Sequence, residues 1–126
     1  MNKVPFGIIV ISVIMFFVGL ATDIFWLGKA FGDSFPRTMP VSDEVYNAFA
    51  APDILLSLLL YLGALGLLKK RKFGFSITCV AMGMWIFDSL LVLGITKLAR
   101  IGIVGPCLVF ALFVPIYLWQ KRDIFE

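Results

Sequence analysis

The chain has 126 residues, of which 61% are apolar and 15% charged, with a net charge of +3 and a mean hydropathy of +1.02. A soluble domain of this length is usually under half apolar, and so much apolar surface cannot be hidden in one core of this size. Composition therefore predicts an integral membrane protein and excludes an ordinary cytosolic enzyme, a disordered tail and a disulfide-rich secreted scaffold.

Four apolar stretches come near the roughly 20 residues that cross a bilayer as a helix. The first covers about 5–27, with Pro5 suited to a first helical turn. Lys3, the apolar run and Gly19-Leu20-Ala21 outline a secretory signal, but apolar character continues through Ile24-Phe25-Trp26-Leu27, which reads as a full span. A loop over 28–44 follows, containing Pro36 and Pro40, long enough for a lid or docking surface. The second span covers about 45–68, with Ser42 and Asp43 as candidate N-caps. The third covers about 73–95. The fourth covers about 101–120, where Pro106 and Pro115 are expected to kink or loosen the helix.

Basic residues set the expected topology. Lys69-Lys70-Arg71-Lys72 joins spans two and three, Lys121 and Arg122 follow span four, and Lys3 precedes span one. The positive-inside rule places these in the cytoplasm, giving an all-α, antiparallel four-helix bundle with both termini cytoplasmic. Lys97 and Arg100, in the second outer loop, run against the rule. Trp26 and Tyr46 are expected at the outer interface, and Tyr117 and Trp119 at the inner one. A multi-pass protein of the plasma membrane is the expected setting. The 69–72 run reads first as a topological anchor and second as a site for anionic headgroups.

Much chemistry is absent. The chain has no histidine, so His-ligated haem, non-haem iron and most zinc or copper sites are excluded. Cys79 and Cys107 are far apart and expected toward opposite ends of the membrane, which disfavours a disulfide. Phosphate loops, nucleophile elbows and His-based triads are missing, no cofactor is expected, and the modest charge is a poor footprint for nucleic acid.

One constellation carries chemistry. Spans one, two and three each hold a single ionisable residue: Asp23, Asp53 and Asp88. Each costs about 2.5–3.5 kcal/mol near a helix centre, so such residues face a bundle interior or a wet cavity. A rise of about 1.5 Å per residue puts them about 6, 12 and 10 Å from the outer ends of their spans. Helical spacing adds Asn47, Ala50, Ser57, Tyr61 and Ala64 to the face of Asp53, and Thr78, Ala81 and Trp85 to that of Asp88. Ser12 and Gly19 share the face of Asp23, with Trp26 one turn further out. These stripes are expected to converge on an outward-facing pocket with Asp23, Asp53, Asp88, Ser57, Tyr61, Trp85 and Asn47 as ligand-binding residues.

Three carboxylates that close cannot all stay ionised without a counter-charge. They share protons, bind a cation or amine, or are ion-paired by Lys29, Lys97 or Arg100 from the outer loops; the last would make them structural glue. Whether a metal is among the cations stays open. Gly63, Ala64 and Gly66, and separately Gly102 and Gly105, offer patches for close helix packing.

Three small four-span families invite comparison. Small multidrug exporters are similar in length and span number but place a glutamate in the first span, where this chain has only Asp23. Dual-topology fluoride channels are similar in size, without a counterpart here to their glycine and arginine motif. The sterol-isomerase-like family is similar in setting four helices around acidic residues, yet its motifs are not found, and no family follows. The leading functional expectation is binding or transport of a cation, protons or a small amphipathic amine, with a homodimer expected for transport. The alternatives are an accessory or scaffold subunit of a larger membrane complex, and an enzyme using Asp53 or Asp88 as base on a lipid-soluble substrate.

Overall fold

The computed structural model describes residues 3–32 and 41–126. Asp33, Pro36, Arg37 and Pro40 of the expected outer loop lie outside the described residues. Helix α1 runs Phe6–Ala30, α2 Asp43–Ala48, α3 Ala50–Leu68, α4 Lys72–Ile95 and α5 Ile101–Gln120, with a short 3₁₀ turn at Arg122–Ile124. Among the described residues, four helical segments are long and apolar enough to cross a membrane: α1, α2 with α3, α4 and α5.

The second segment is not one helix. Ser42 caps α2 as expected, its Oγ accepting from the Val45 N–H at 3.4 Å. The helix then breaks at Phe49, and Pro52 explains why. A proline ring clashes with the carbonyl four residues back and supplies no N–H, so α2 ends at Ala48 and a new helix takes Pro52 within its first turn. By contrast α5 continues unbroken through Pro106 and Pro115.

Both hairpin turns use the same closing device. After α3, Lys70 enters the left-handed region at φ 52° and the Arg71 N–H reaches back to the Gly66 carbonyl at 2.9 Å. After α4, Lys97 does so at φ 50° and the Leu98 N–H reaches the Leu93 carbonyl at 2.9 Å. This six-to-one bond satisfies carbonyls that a helix end leaves open, with lysine in the place glycine usually fills.

α1 packs on α3, α3 on α4, and α4 on α5. The contacts run in opposed register: Asp23 meets Ser57, Gly19 meets Tyr61, and Met15 meets Gly63. A continuous core joins Ile8 and Met15 of α1, Leu60 and Leu67 of α3, Met82 of α4 and Leu118 of α5. Large apolar side chains cover the outward faces, Phe17 being 62% and Val109 67% exposed. Such continuous apolar surface suits lipid and would drive association in water.

Small residues bring the helices together. Gly66 and Gly74 place α3 and α4 backbone to backbone, and a Cβ on either would overlap the other's main chain. At Gly63 the space is filled by the Thr78 hydroxyl, which is buried without a hydrogen-bond partner, as is that of Ser12. The glycine patch of α3 is therefore a packing seam. Gly102 and Gly105 are not, because a Cβ at Gly102 meets nothing within 4 Å and one at Gly105 only the Ile101 side chain of the same helix, at 3.7 Å. The cysteines are both free.

Candidate functional site

The junction of α2 and α3 carries the site: Tyr46 and Phe49 are buried and pack with Phe25 and Trp26 of α1 and Val92 and Ile95 of α4. Tyr46 was expected at a membrane interface, yet only 3% of it is exposed. Spacings of three and seven residues put Phe49 and Asp53 on the same helical face as Tyr46, so its ring joins the packed side of the bundle. The Trp26 indole Nε1–H donates to Asp53 Oδ2 at 2.8 Å. An indole at this depth satisfies its one donor, and a carboxylate gains a fixed neutral partner.

The three aspartates do not form one group. Asp23 accepts from the Ser57 hydroxyl at 2.6 Å and from the Tyr61 hydroxyl at 2.7 Å. Asp53 is held by Trp26, and Asp88 on α4 lines the same two cavities as Asp53. Among the described residues, no three His, Cys, Asp or Glu side chains are placed to hold one metal ion. The helical stripes thus give a divided arrangement: a hydroxyl-bound Asp23 between α1 and α3, and an Asp53–Asp88 pair between α3 and α4.

The pair borders two cavities. The larger, of about 520 Å³, lies between α3 and α4 and is apolar apart from the two acids, with Phe49 and Leu56 on one wall and Met84 and Phe87 on the other. The smaller, of about 160 Å³, is lined by Phe25, Trp26, Tyr46 and Phe49 together with Asp53 and Asp88. Phe49, Asp53 and Asp88 belong to both, so an aromatic chamber and an apolar chamber meet at the carboxylates. Among the described residues, no lysine or arginine lines either cavity.

The remaining expected site residues fall elsewhere. Trp85 is buried and turned toward α5, its ring tilted against Phe110 at 5.5 Å between centroids. Asn47 is exposed and lines a separate cavity of about 560 Å³ with Trp26 and Lys29. Both were grouped with an aspartate by helical spacing, but a helix face is wide, and six residues set Asn47 about 120° around the helix from Asp53. Lys29 was a candidate counter-ion. Its ammonium lies over the Tyr46 ring, 3.8 Å from the centroid, with the Trp26 centroid at 5.7 Å, so its partner is aromatic. Lys97 is exposed in its turn. The hydrogen bonds that hold Asp23 and Asp53 come from hydroxyl and indole groups, not from cations.

Sequence reasoning missed Phe25, Phe49 and the inward roles of Trp26 and Tyr46. The signal was the spacing of Tyr46, Phe49 and Asp53, which puts all three on one helical face. Compared with protein-family models, curated proteins and solved structures, the chain shows no match.

The Asp23 cluster makes a prediction of its own. Tyr61→Phe removes one of the two hydroxyls on a carboxylate and is expected to cost about 1.5–3 kcal/mol, the usual worth of a hydrogen bond to a charged group. Thermal unfolding in detergent checks it. In an Asp23→Asn background the same change should cost less than half as much, because the coupled partner has already changed.

Proposed function

We propose that the chain is an integral protein of the plasma membrane, an antiparallel four-helix bundle with both termini cytoplasmic. Its acidic pocket opens toward the outer side and binds a small amphipathic amine. The observation that carries this reading is the shared wall: Asp53 and Asp88 border both an apolar cavity of about 520 Å³ and an aromatic one of about 160 Å³. Two carboxylates on one wall favour a bound counter-charge, and no lysine or arginine is among the described residues that line the two cavities. An ammonium answers that need, and aromatic faces attract it further. The apolar chamber takes the hydrocarbon body. A hydrated metal ion is a poorer match, because this lining offers it few oxygen ligands.

Lys29 supports the same chemistry. The chain's own ammonium already rests on Tyr46, one of the rings of the smaller chamber. Those rings are therefore electron-rich surfaces that an ammonium approaches within this fold.

The test is thermal unfolding of the detergent-solubilised protein with N,N-dimethyloctylamine and, in parallel, the neutral alcohol octanol. The amine at about 100 times its dissociation constant should stabilise the fold by about 2.7 kcal/mol, while octanol gives much less. The increment should fall at least tenfold in apparent affinity in Asp53→Asn and in Asp88→Asn. Equal stabilisation by amine and alcohol, or an amine increment that survives both substitutions together, would overturn the reading.

A further inference from the structure

The end of the molecule opposite the acidic pocket carries a second feature. Two basic runs that are 48 residues apart in sequence, at 69–72 and 121–122, meet in the fold. The main chain brings them together: the Lys72 N–H donates to the Glu126 carbonyl at 2.8 Å, and the Glu126 N–H donates to the Lys70 carbonyl at 2.9 Å. Phe125 anchors the returning segment, buried to 6% exposure and set against Phe75 at 5.6 Å between ring centroids. The Lys72 N–H belongs to the first turn of α4, so the returning chain also satisfies a donor that the helix cannot use.

The resulting surface is predominantly basic. Lys69, Arg71, Lys72, Lys121 and Arg122 are exposed around it, and the acidic side chains of the returning segment are Asp123 and Glu126. Arg122 is held in place rather than free to wander: it donates to the Trp119 carbonyl at 2.8 Å, and its guanidinium lies 4.6 Å from the Trp119 ring centroid. Trp119 itself is 61% exposed at the end of α5. In the proposed membrane setting, an exposed indole at the end of an apolar span sits at headgroup depth, which sets the guanidinium beside it at the level of lipid phosphates.

A topological signal needs only the positive residues of a short loop. It does not need a second run folded back onto them, or an arginine fixed over an interfacial tryptophan. We infer that this basic end is a binding surface for anionic phospholipid headgroups, formed jointly by the α3–α4 turn and the segment after α5. The inference rests on the proposed membrane setting but not on the amine pocket. It predicts a preference for anionic over zwitterionic lipid of about five-fold per contributing basic residue at low salt. The preference should shrink as salt shortens the screening length.

The experiment reconstitutes the purified chain in nanodiscs of phosphatidylcholine with increasing phosphatidylglycerol, and measures unfolding temperature and lipid retained by native mass spectrometry. The double variant Lys121→Ala with Arg122→Ala leaves the 69–72 run, and hence the topological signal, in place. The wild type should gain stability at a low fraction of phosphatidylglycerol and retain that lipid, and the variant should lose about 25-fold in preference. Retention that is equal for the two lipids, or a preference the variant keeps in full, would overturn the inference. Equal stabilisation by free inorganic phosphate would also overturn it, since a generic anion site needs no lipid. Failure to enter phosphatidylcholine nanodiscs at all would instead strike the membrane reading on which the inference stands.

Discussion

Gly74→Ala should be the most damaging single-methyl change in this chain. A Cβ at Gly74 lands on the backbone of Gly66 and on the Leu67 nitrogen, and backbone cannot swing aside as a side chain can. Overpacking of this kind costs about 1–3 kcal/mol and sometimes more, and here relief requires the two helices to part. In lipid the loss weighs heavily, because helix association rests on close van der Waals contact rather than on expulsion of water. Gly66→Ala should behave alike, since its Cβ meets Gly74 across the same seam. The seam also fixes α3 against α4, the helices that present Asp53 and Asp88. Gly74→Ala should therefore lower the unfolding temperature and weaken amine binding together. Unchanged stability in both variants would mean that the two helices do not approach as closely as Gly66 and Gly74 place them.

Hydropathy made the long elements legible. Three of the four expected spans match helices to within three residues at each end, because twenty apolar residues in a row leave the backbone few alternatives to internal hydrogen bonding. The α3 glycine seam was visible for a similar reason: small residues recurring on one face have little use except close approach. What escaped was directional. Tyr46, Phe49 and Asp53 share one helical face by spacing, but periodicity does not say that this face packs on Phe25 and Trp26 of α1.

The aspartates show the same limit. Periodicity identified Asp23, Asp53 and Asp88 as inward-facing, and each does meet a neighbouring helix or cavity. It could not tell which neighbour. A helix face is wide enough for Ser57 and Tyr61 to serve Asp23 while Asp53, one turn away, takes Trp26. Trp26 looked like an interfacial belt residue because it lies near the end of its span. Its indole points inward because Asp53 accepts its N–H, which compensates a donor removed from water. Trp85 went the other way, toward Phe110, since α4 packs on α3 and α5 from different sides.

Gly83→Leu should abolish the preference for the octyl amine without unfolding the protein. Gly83 lies on α4 beside the larger cavity, and a Cβ built there meets no atom within 4 Å. Replacing a mid-helix glycine recovers about 0.8–1 kcal/mol of helix propensity, so Gly83→Ala alone should raise the unfolding temperature. Leucine goes further, projecting its branched end into the space proposed for the ligand's apolar body. Neither aspartate changes, so the loss of that preference would come from volume and not from charge. The pair of variants separates two accounts of the site. If the carboxylates alone hold the amine, Gly83→Leu binds it normally, and a short methylamine binds as well as an octyl one. If the apolar chamber contributes as proposed, Gly83→Leu should lose the octyl preference while Asp53→Asn loses binding of both amines. Titration of N,N-dimethyloctylamine and trimethylamine against the two variants, followed by thermal unfolding, distinguishes these outcomes in one experiment.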